Sequence, residues 1–375
     1  MKIHVKVSIA GIILLLTGLL YQGTNADTTV LLRKPYVQNL QPTALTIVWT
    51  TAEAGESYVA YGVGSLGKTA VSTTTLLTTP DAPPYDAYYV HETTLTNLTP
   101  DTLYQYRIFT NGENLTPHGI ATVRSGKPAS ATTFRFAAIG DSRKENLGRN
   151  GVVERLQQIQ PDLILHAGDY AYPRASYAYL EERFFQVYDD LLSSVWIAPA
   201  IGNHDMDYLG GQSFVDVFVN PSNGAADPLE AEMYYSFDYA NAHFTVLAGD
   251  LPYEAGSRQY AWLDSDLANS QQPWKFVVLH PAPYYTNISQ TLKINSSLTS
   301  SLVPLFEAHD VDVVISGDIN FYERLKPMRE GGLASFDEGG ILYLMTGGGG
   351  AGLRQIGDAP WHPLTANKQM AHHLV

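Results

Sequence analysis

The stretch VDVVISGDINFYERL (311–325) decides the fold. Its first half is an apolar, β-branched run closed by Ser316-Gly317, which predicts a short buried strand. Its second half places two oxygen-bearing side chains, Asp318 and Asn320, two residues apart in the loop that follows. Four other apolar runs end in the same manner. FRFAAIG (134–140) leads into Asp141, and DLILHAG (162–168) leads into Asp169 and Tyr172. VWIAPAIG (195–202) leads into Asn203, His204 and Asp205, and KFVVLH (275–280) closes on His280. Helix-like amphipathic stretches lie among them, namely VVERLQQIQ, LEERFFQVYDDLLSS, RQYAWLDSDLAN and SSLVPLFEAH. That alternation reads as α/β from residue 134 onward.

In α/β sheets, ligands gather in the crevice beyond the carboxyl ends of the strands. Five segments far apart in sequence therefore bring carboxylates, amides, a phenol and imidazoles to one rim. Those donors suit divalent or trivalent first-row metals. Taken singly, each residue has a plainer reading. An aspartate after a strand caps the next helix, a histidine can be a satisfied core residue, and Tyr172 is one of 24 tyrosines. The signal is the ordered set: GD, then GDxxY, then GNHD, then a strand-ending histidine, then SGDxNxYER. No GxSxG elbow and no P-loop competes with it.

Upstream, residues 30–126 are rich in Thr, Val and Tyr with frequent Pro and Gly turns. TALTIVWT (43–50) and SYVAYG (57–62) alternate like half-buried strands. The pattern Leu98-x-Pro100-x-Thr102-x-Tyr104-x-Tyr106 resembles the tyrosine-corner strand of fibronectin type III-like sandwiches. A domain over 28–126 is expected, with GKPASATT (126–133) as the linker and a second domain over 134–375. Residues 1–26 carry Lys2 and Lys6, an apolar core from Ser8 to Leu20 and the small-residue end Thr24-Asn25-Ala26. They read as a secretory signal, because the core is shorter than the roughly 20 residues a spanning helix needs. The chain is thus expected to be secreted, periplasmic or at the cell surface, with no membrane attachment after cleavage. With no cysteine, it folds without disulfides and has neither thiolate metal sites nor a cysteine nucleophile. The net charge of −14 repels nucleic acid. A small phosphorylated substrate remains compatible with it, because a bound metal reverses the local field. Oligomeric state is left open.

The ordered set resembles the calcineurin-like metallophosphoesterase superfamily, and GDxxY behind an N-terminal sandwich resembles purple acid phosphatases. The resemblance implies a four-layer αββα sandwich preceded by the all-β domain, with two metals at its edge. By position, Asp141 and Tyr172 would bind the first metal, Asp169 would bridge, and Asn203 and His280 would bind the second. The implied metals are iron with iron, zinc or manganese. His204 would contact phosphate or assist the leaving group, and Asp169 and His204 would be the catalytic pair. Two metals about 3.5–4 Å apart clamp a phosphoryl group and generate a bound hydroxide near neutral pH. The implied reaction is phosphomonoester hydrolysis. Arg143 and either Tyr284 or Tyr285, with Tyr284 taken first, are added as substrate contacts by position.

The last family motif, GHxH, departs here. Gly317-Asp318-Ile319-Asn320 replaces both histidines, while Tyr322-Glu323-Arg324 matches. Asp318 and Asn320 remain oxygen donors and shift the preference towards manganese or magnesium. Activity turns on this replacement. Two alternatives stay open: an inactive relative that binds a phosphorylated ligand or a partner, and a phosphodiesterase or nucleotidase on the same scaffold. After AHHLV, where the resemblance leads one to expect a final strand pair, the sequence stops. This implies either a truncated C-terminal edge or an unpaired edge strand.

Overall fold

A computed structural model describes residues 28–142, 147–227, 230–357 and 360–375. The segment 1–26 and Arg143 lie outside the described residues.

The first part is a β-sandwich of nine strands: β1 (Leu31–Gln38), β2 (Leu45–Thr51), β3 (Ser57–Gly62), β4 (Lys68–Val71), β5 (Thr73–Thr78), β6 (Ala87–Leu95), β7 (Leu103–Thr110), β8 (Glu113–Asn114) and β9 (Ala121–Arg124). One sheet runs β1-β2-β6-β5, and the other runs β4-β3-β7-β8 with β9 on β7. Alternating side chains explain the packing. Val37, Ile47, Trp49 and Leu95 meet Val59, Tyr104, Tyr106 and Ile108 between the sheets. The opposite face of the first sheet carries Tyr36, Val48, Tyr88 and Val90 into the core of the second domain. The Thr99 N–H donates to the Tyr104 hydroxyl at 2.9 Å, closing the tyrosine corner.

The second part has two facing sheets. β10 (Phe136–Ile139), β11 (Leu163–His166) and β12 (Trp196–Pro199) form a parallel sheet in order β10-β11-β12. β13 (Tyr235–Tyr239), β14 (Ala242–Leu247), β15 (Trp274–Leu279), β18 (Val313–Ser316), β19 (Tyr322–Leu325), β22 (Leu342–Thr346) and β23 (Thr365–Gln369) form the other, in order β13-β14-β15-β18-β22-β19-β23. Two small hairpins complete the numbering, β16 (Tyr284–Thr286) with β17 (Leu292–Ile294), and β20 (Met328–Arg329) with β21 (Gly332–Leu333). The helices are α1 (Leu147–Ile159), α2 (Tyr177–Leu180), α3 (Gln186–Leu192), α4 (Asn203–Met206), α5 (Gln212–Val217), α6 (Arg258–Asn269), α7 (Ser296–Ser301) and α8 (Val303–Ala308), with a π turn at Glu181–Phe185.

Strand alternation gives the layering. Ala138, Leu165 and Ala198 face Val246, Val278 and Ile315 between the sheets. Ala137, Ile139 and Ile164 face outward onto Leu156, Tyr188 and Leu191. On the far side, Val277 and Val314 meet Leu263, Leu298 and Phe306. The result is the four-layer αββα order. The outer edge of β10 is not bare, because Ala138 and Val375 exchange backbone hydrogen bonds at 2.8 and 3.1 Å. Among the described residues no helix is long and apolar enough to cross a membrane.

The two parts share a buried interface. Arg33 Nε donates to Glu181 Oε2 at 2.7 Å, with both side chains 3% exposed, and its guanidinium lies 3.8 Å from the Phe185 ring centroid. Tyr36 and Tyr106 donate their hydroxyls to the carbonyls of Val217 and Ser193, each at 2.7 Å.

The β13–β14 hairpin holds a pH-dependent clamp. His243 donates from Nδ1 to Asp238 at 2.7 Å and from Nε2 to Asp266 of α6 at 3.0 Å. Burial opposes the imidazolium, but the two carboxylates win and raise its pKa from 6.5 to about 9. A raised pKa means the stabilisation is complete below pH 6.5 and disappears as pH rises through about 9. Its expected size is roughly 2–3 kcal/mol. Urea unfolding at pH 6.5 and pH 10 should show this loss in the wild-type chain and not in His243→Gln; identical losses would refute the clamp.

Candidate metal centre

Aligned strand ends build the site. In the parallel sheet Ile139 pairs with His166, and His166 with Pro199, so β10, β11 and β12 finish level. In the facing sheet Leu279 pairs with Ser316, and Ser316 with Met345. Each candidate ligand aspartate then sits in a left-handed elbow, with φ of 61° at Asp141, 64° at Asp169 and 61° at Asp318. Aspartate tolerates this region better than most residues. The preceding glycines permit close approach. A Cβ at Gly168 would stand 2.7 Å from His280 Nδ1, and one at Gly317 would stand 2.6 Å from the Ala167 carbonyl and 2.8 Å from Asp141 Oδ2.

Asp141, Asp169 and His280 are buried, and one ligand atom from each lies within 4.8 Å of the others. The Tyr172 hydroxyl donates to Asp141 Oδ1 at 2.8 Å. His280 Nδ1 donates to the Ala167 carbonyl at 2.6 Å, which leaves Nε2 turned to Asn203 Oδ1 at 3.1 Å and Asp169 Oδ1 at 3.4 Å. A backbone carbonyl holding Nδ1–H in this way fixes the ring orientation and leaves Nε2 free to serve as a metal ligand. Three electron-rich atoms converge there, and only a proton or a cation reconciles them. Burial opposes charge on His280, but Asp169 beside it drives its pKa well up. Burial also raises Asp141, against the pull of His280. Asp169 falls below its ordinary value, because His280, Tyr172 and His204 together overcome its burial. The donor set and its convergence fit a bound metal.

The other half of the site differs. Asp318 lies outside the group of three, although its charge acts on both Asp141 and His280. Its backbone N–H donates to Asp141 Oδ2 at 3.0 Å. Asn320 Nδ2 donates to the Gly352 carbonyl at 3.2 Å, while its Oδ1 is buried with no hydrogen-bond partner. That oxygen, without a partner among the described residues, is an acceptor open to a donor or a cation. His204, with 31% of its side chain exposed, sits at the rim. Its Nδ1 donates to the Pro173 carbonyl at 2.6 Å, its ring centroid lies 4.3 Å from that of Tyr172, and Nε2 is left available.

Tyr284, expected among the substrate contacts, is placed elsewhere. It is buried on the helix side of the sheet, edge-to-face on Tyr343 at 4.9 Å. Strand alternation turns its neighbour Tyr285 instead towards Ile319 and Phe321 of the site loop.

Two carboxylates go beyond the sequence expectations. Asp205 is fully buried and accepts the N–H groups of Asp169 at 2.9 Å, Tyr170 at 3.2 Å and Gly202 at 2.8 Å. Burial, then Asp169, pushes its pKa up to about 7. It ties the second elbow to the third. Asp205→Asn presents an amide NH2 to backbone donors and should weaken metal affinity 10–100-fold by titration; unchanged affinity would assign Asp205 to stability alone. Asp250 follows β14 as Gly249-Asp250, and its pKa is raised by burial against the pull of His280, so it faces the same rim. A fourth Gly-Asp after an apolar run, FTVLAGD, was the available signal.

Against known proteins, residues 134–320 match the calcineurin-like phosphoesterase family, and residues 34–133 match the purple acid phosphatase N-terminal domain. The chain carries a calcineurin-like phosphoesterase domain behind a purple acid phosphatase N-terminal domain. Purple acid phosphatase 21 of Arabidopsis thaliana is 29% identical over 280 residues, 71% of this chain and 59% of that one. Purple acid phosphatase 18 of the same plant is 28% identical over 319 residues, 81% of this chain and 68% of that one. The chain thus spans between 59% and 68% of the length of these two relatives. The solved purple acid phosphatase PPD1 from yellow lupin seeds superposes with a TM-score of 0.73 at 21% identity, over 90% of this chain and 68% of that one. It shares the fold. These relatives are purple acid phosphatases, and that family implies a dinuclear metal centre.

Proposed function

We propose that the protein is an exported phosphatase that hydrolyses small phosphomonoesters with two bound metal ions. The observation that carries this is the buried convergence of Asp141, Asp169 and His280 at the strand ends, with Tyr172 and Asn203 turned to them. Bound metals supply Lewis acidity at the phosphoryl group and lower the pKa of water. In this reading Asp141 and Tyr172 hold one ion, Asn203 and His280 hold the other, and Asp169 serves both. Asp318 and Asn320 add oxygens in place of the two histidines the family motif implies. Iron with iron, zinc or manganese suits the first five residues, and the added oxygens favour manganese or magnesium. With Nδ1–H held on the Pro173 carbonyl, His204 takes up a second proton on Nε2, and the resulting imidazolium gives that Nε2 proton to the departing alkoxide and returns to the neutral Nδ1–H form. Asp205 and Ala167 orient Asp169 and His280. The N-terminal signal reading supports export to the periplasm, cell surface or medium.

A second reading has its own observation. Asp318 stands apart from the buried group, and Asn320 bonds to Gly352, which suits a relative that binds a phosphorylated ligand without turnover. Elemental analysis after loading with iron, zinc and manganese separates the two, alongside hydrolysis of p-nitrophenyl phosphate and its bis ester. Close to two ions per chain with chelator-sensitive monoester turnover is expected. One ion or none, with turnover appearing only after Asp318→His with Asn320→His, would establish the second reading. Faster diester turnover would move the assignment to a phosphodiesterase.

A further inference from the structure

The first domain reaches the rim of the metal site through one side chain. Asp81 lies in the connection between β5 and β6. Its Oδ2 accepts the N–H of Ala178 at 2.6 Å, and its Oδ1 accepts the hydroxyl of Tyr208. These two partners belong to segments that meet at His204. Segment 172–178 supplies the Tyr172 ring against the imidazole, the Pro173 carbonyl that accepts Nδ1–H, and the Ala175 N–H that donates to the His204 carbonyl at 3.0 Å. Segment 203–208 carries His204 on α4 and ends at Tyr208. Asp81 joins the far ends of both, so the hydrogen-bonded path from Pro173 through His204 to Tyr208 returns through the first domain.

The local elements cannot fix this geometry alone. α4 has only four residues, far below the length at which a helix holds itself together, and residues 173–176, which approach the helix running from α2 through the π turn and α3 to Leu192, are irregular. Ser213 ties Ala175 to α5, but this bond lies wholly within the second domain. The imidazole is partly exposed, so burial does not set its rotamer; the Pro173 carbonyl and the Tyr172 ring do. A carboxylate accepting two donors makes strong charge-assisted bonds. A displacement of about 1 Å at a catalytic group can cost on the order of 10²-fold in rate.

We propose that Asp81 is a positioning residue for His204, a first-domain carboxylate that sets the orientation of the imidazole at the rim of the site. The kinetic part rests on His204 carrying the leaving-group proton; the structural part does not.

The test uses the full chain labelled with 15N-histidine, with the His204 ring signals assigned by His204→Gln. The wild-type ring should show its proton held on Nδ1. In Asp81→Ala and in Tyr208→Phe the two ring nitrogens should move towards the tautomeric average, with the His243 signals unmoved. Asp81→Asn, which keeps one acceptor oxygen, should restore much of the wild-type pattern. Unchanged His204 signals in both Asp81→Ala and Tyr208→Phe overturn the proposal. In kinetics, Asp81→Ala should lower kcat for propyl phosphate about tenfold more than for p-nitrophenyl phosphate, whose leaving group needs less protonation. His204→Ala should show the same split, and the double variant no further split. A split in His204→Ala that is missing in Asp81→Ala also overturns the proposal. A split missing in His204→Ala removes the proton-donor assignment instead, and the ring signals still decide the positioning role.

Discussion

Asp169→Asn is expected to lower metal-dependent turnover by on the order of 10³-fold or more, the scale of removing a preorganised electrostatic contact at a reacting group. Asparagine keeps the size of the side chain and tolerates the left-handed φ of 64°, so the backbone should not move. What changes is charge at the point where the Asp169 oxygen accepts the His204 N–H at 3.0 Å and faces His280 Nε2 at 3.4 Å. Bound metal, measured by elemental analysis, should fall with turnover, while the unfolding midpoint of metal-free protein changes little. Turnover within tenfold of wild type, in protein verified to hold metal, would remove Asp169 from the mechanism.

Arg33→Ala should destabilise the protein by roughly 3–5 kcal/mol, the scale of breaking a buried ion pair from one side. Burial works against charge on Arg33, yet Glu181 outweighs it and raises its pKa, so the guanidinium stays charged. Removing it strands the buried Glu181 carboxylate without its partner and strips the face of Phe185. Urea unfolding measures the loss, and a drop under about 1 kcal/mol would show that the pair is not what joins the two parts. Arg33→Met with Glu181→Leu should recover most of the loss, because well-packed apolar replacements of buried pairs are often neutral or better.

The sequence discloses what repeats along the chain and hides what closes across it. The strands before Gly140-Asp141, Gly168-Asp169, Gly202-Asn203 and Gly317-Asp318 were legible, because an apolar run closed by glycine and a short polar residue favours a strand and a tight turn, whereas β14 before Gly249-Asp250 was passed over. RQYAWLDSDLAN is read as a helix and forms one over Arg258–Asn269. The β13–β14 hairpin was not anticipated. Its turn, Ala240-Asn241, lacks the usual glycine, and Ala240 adopts a φ of 53° that the sequence gives no reason to expect. The role of Asp205 was hidden for another reason. Its three partners are backbone N–H groups, which every residue has, so no residue type announces them. Arg33–Glu181 and Asp81–Tyr208 span 148 and 127 residues and lie outside any local pattern. Between Tyr284 and Tyr285 the sequence does not set the strand phase, and one residue of phase reverses a face: Tyr284 packs on the helix side and Tyr285 against Ile319 and Phe321.

The left-handed elbow at Asp318 also bears on the departure from the GHxH motif that the family resemblance implies. Aspartate, asparagine and histidine are the non-glycine residues most at home at positive φ. With φ at 61°, position 318 can exchange histidine for aspartate with little backbone cost. Only the chemistry at the tip of the side chain changes. Such a position is a neutral corridor for ligand exchange: mutation can carry it from nitrogen to oxygen coordination and back while the fold registers nothing, and selection sees only the metal.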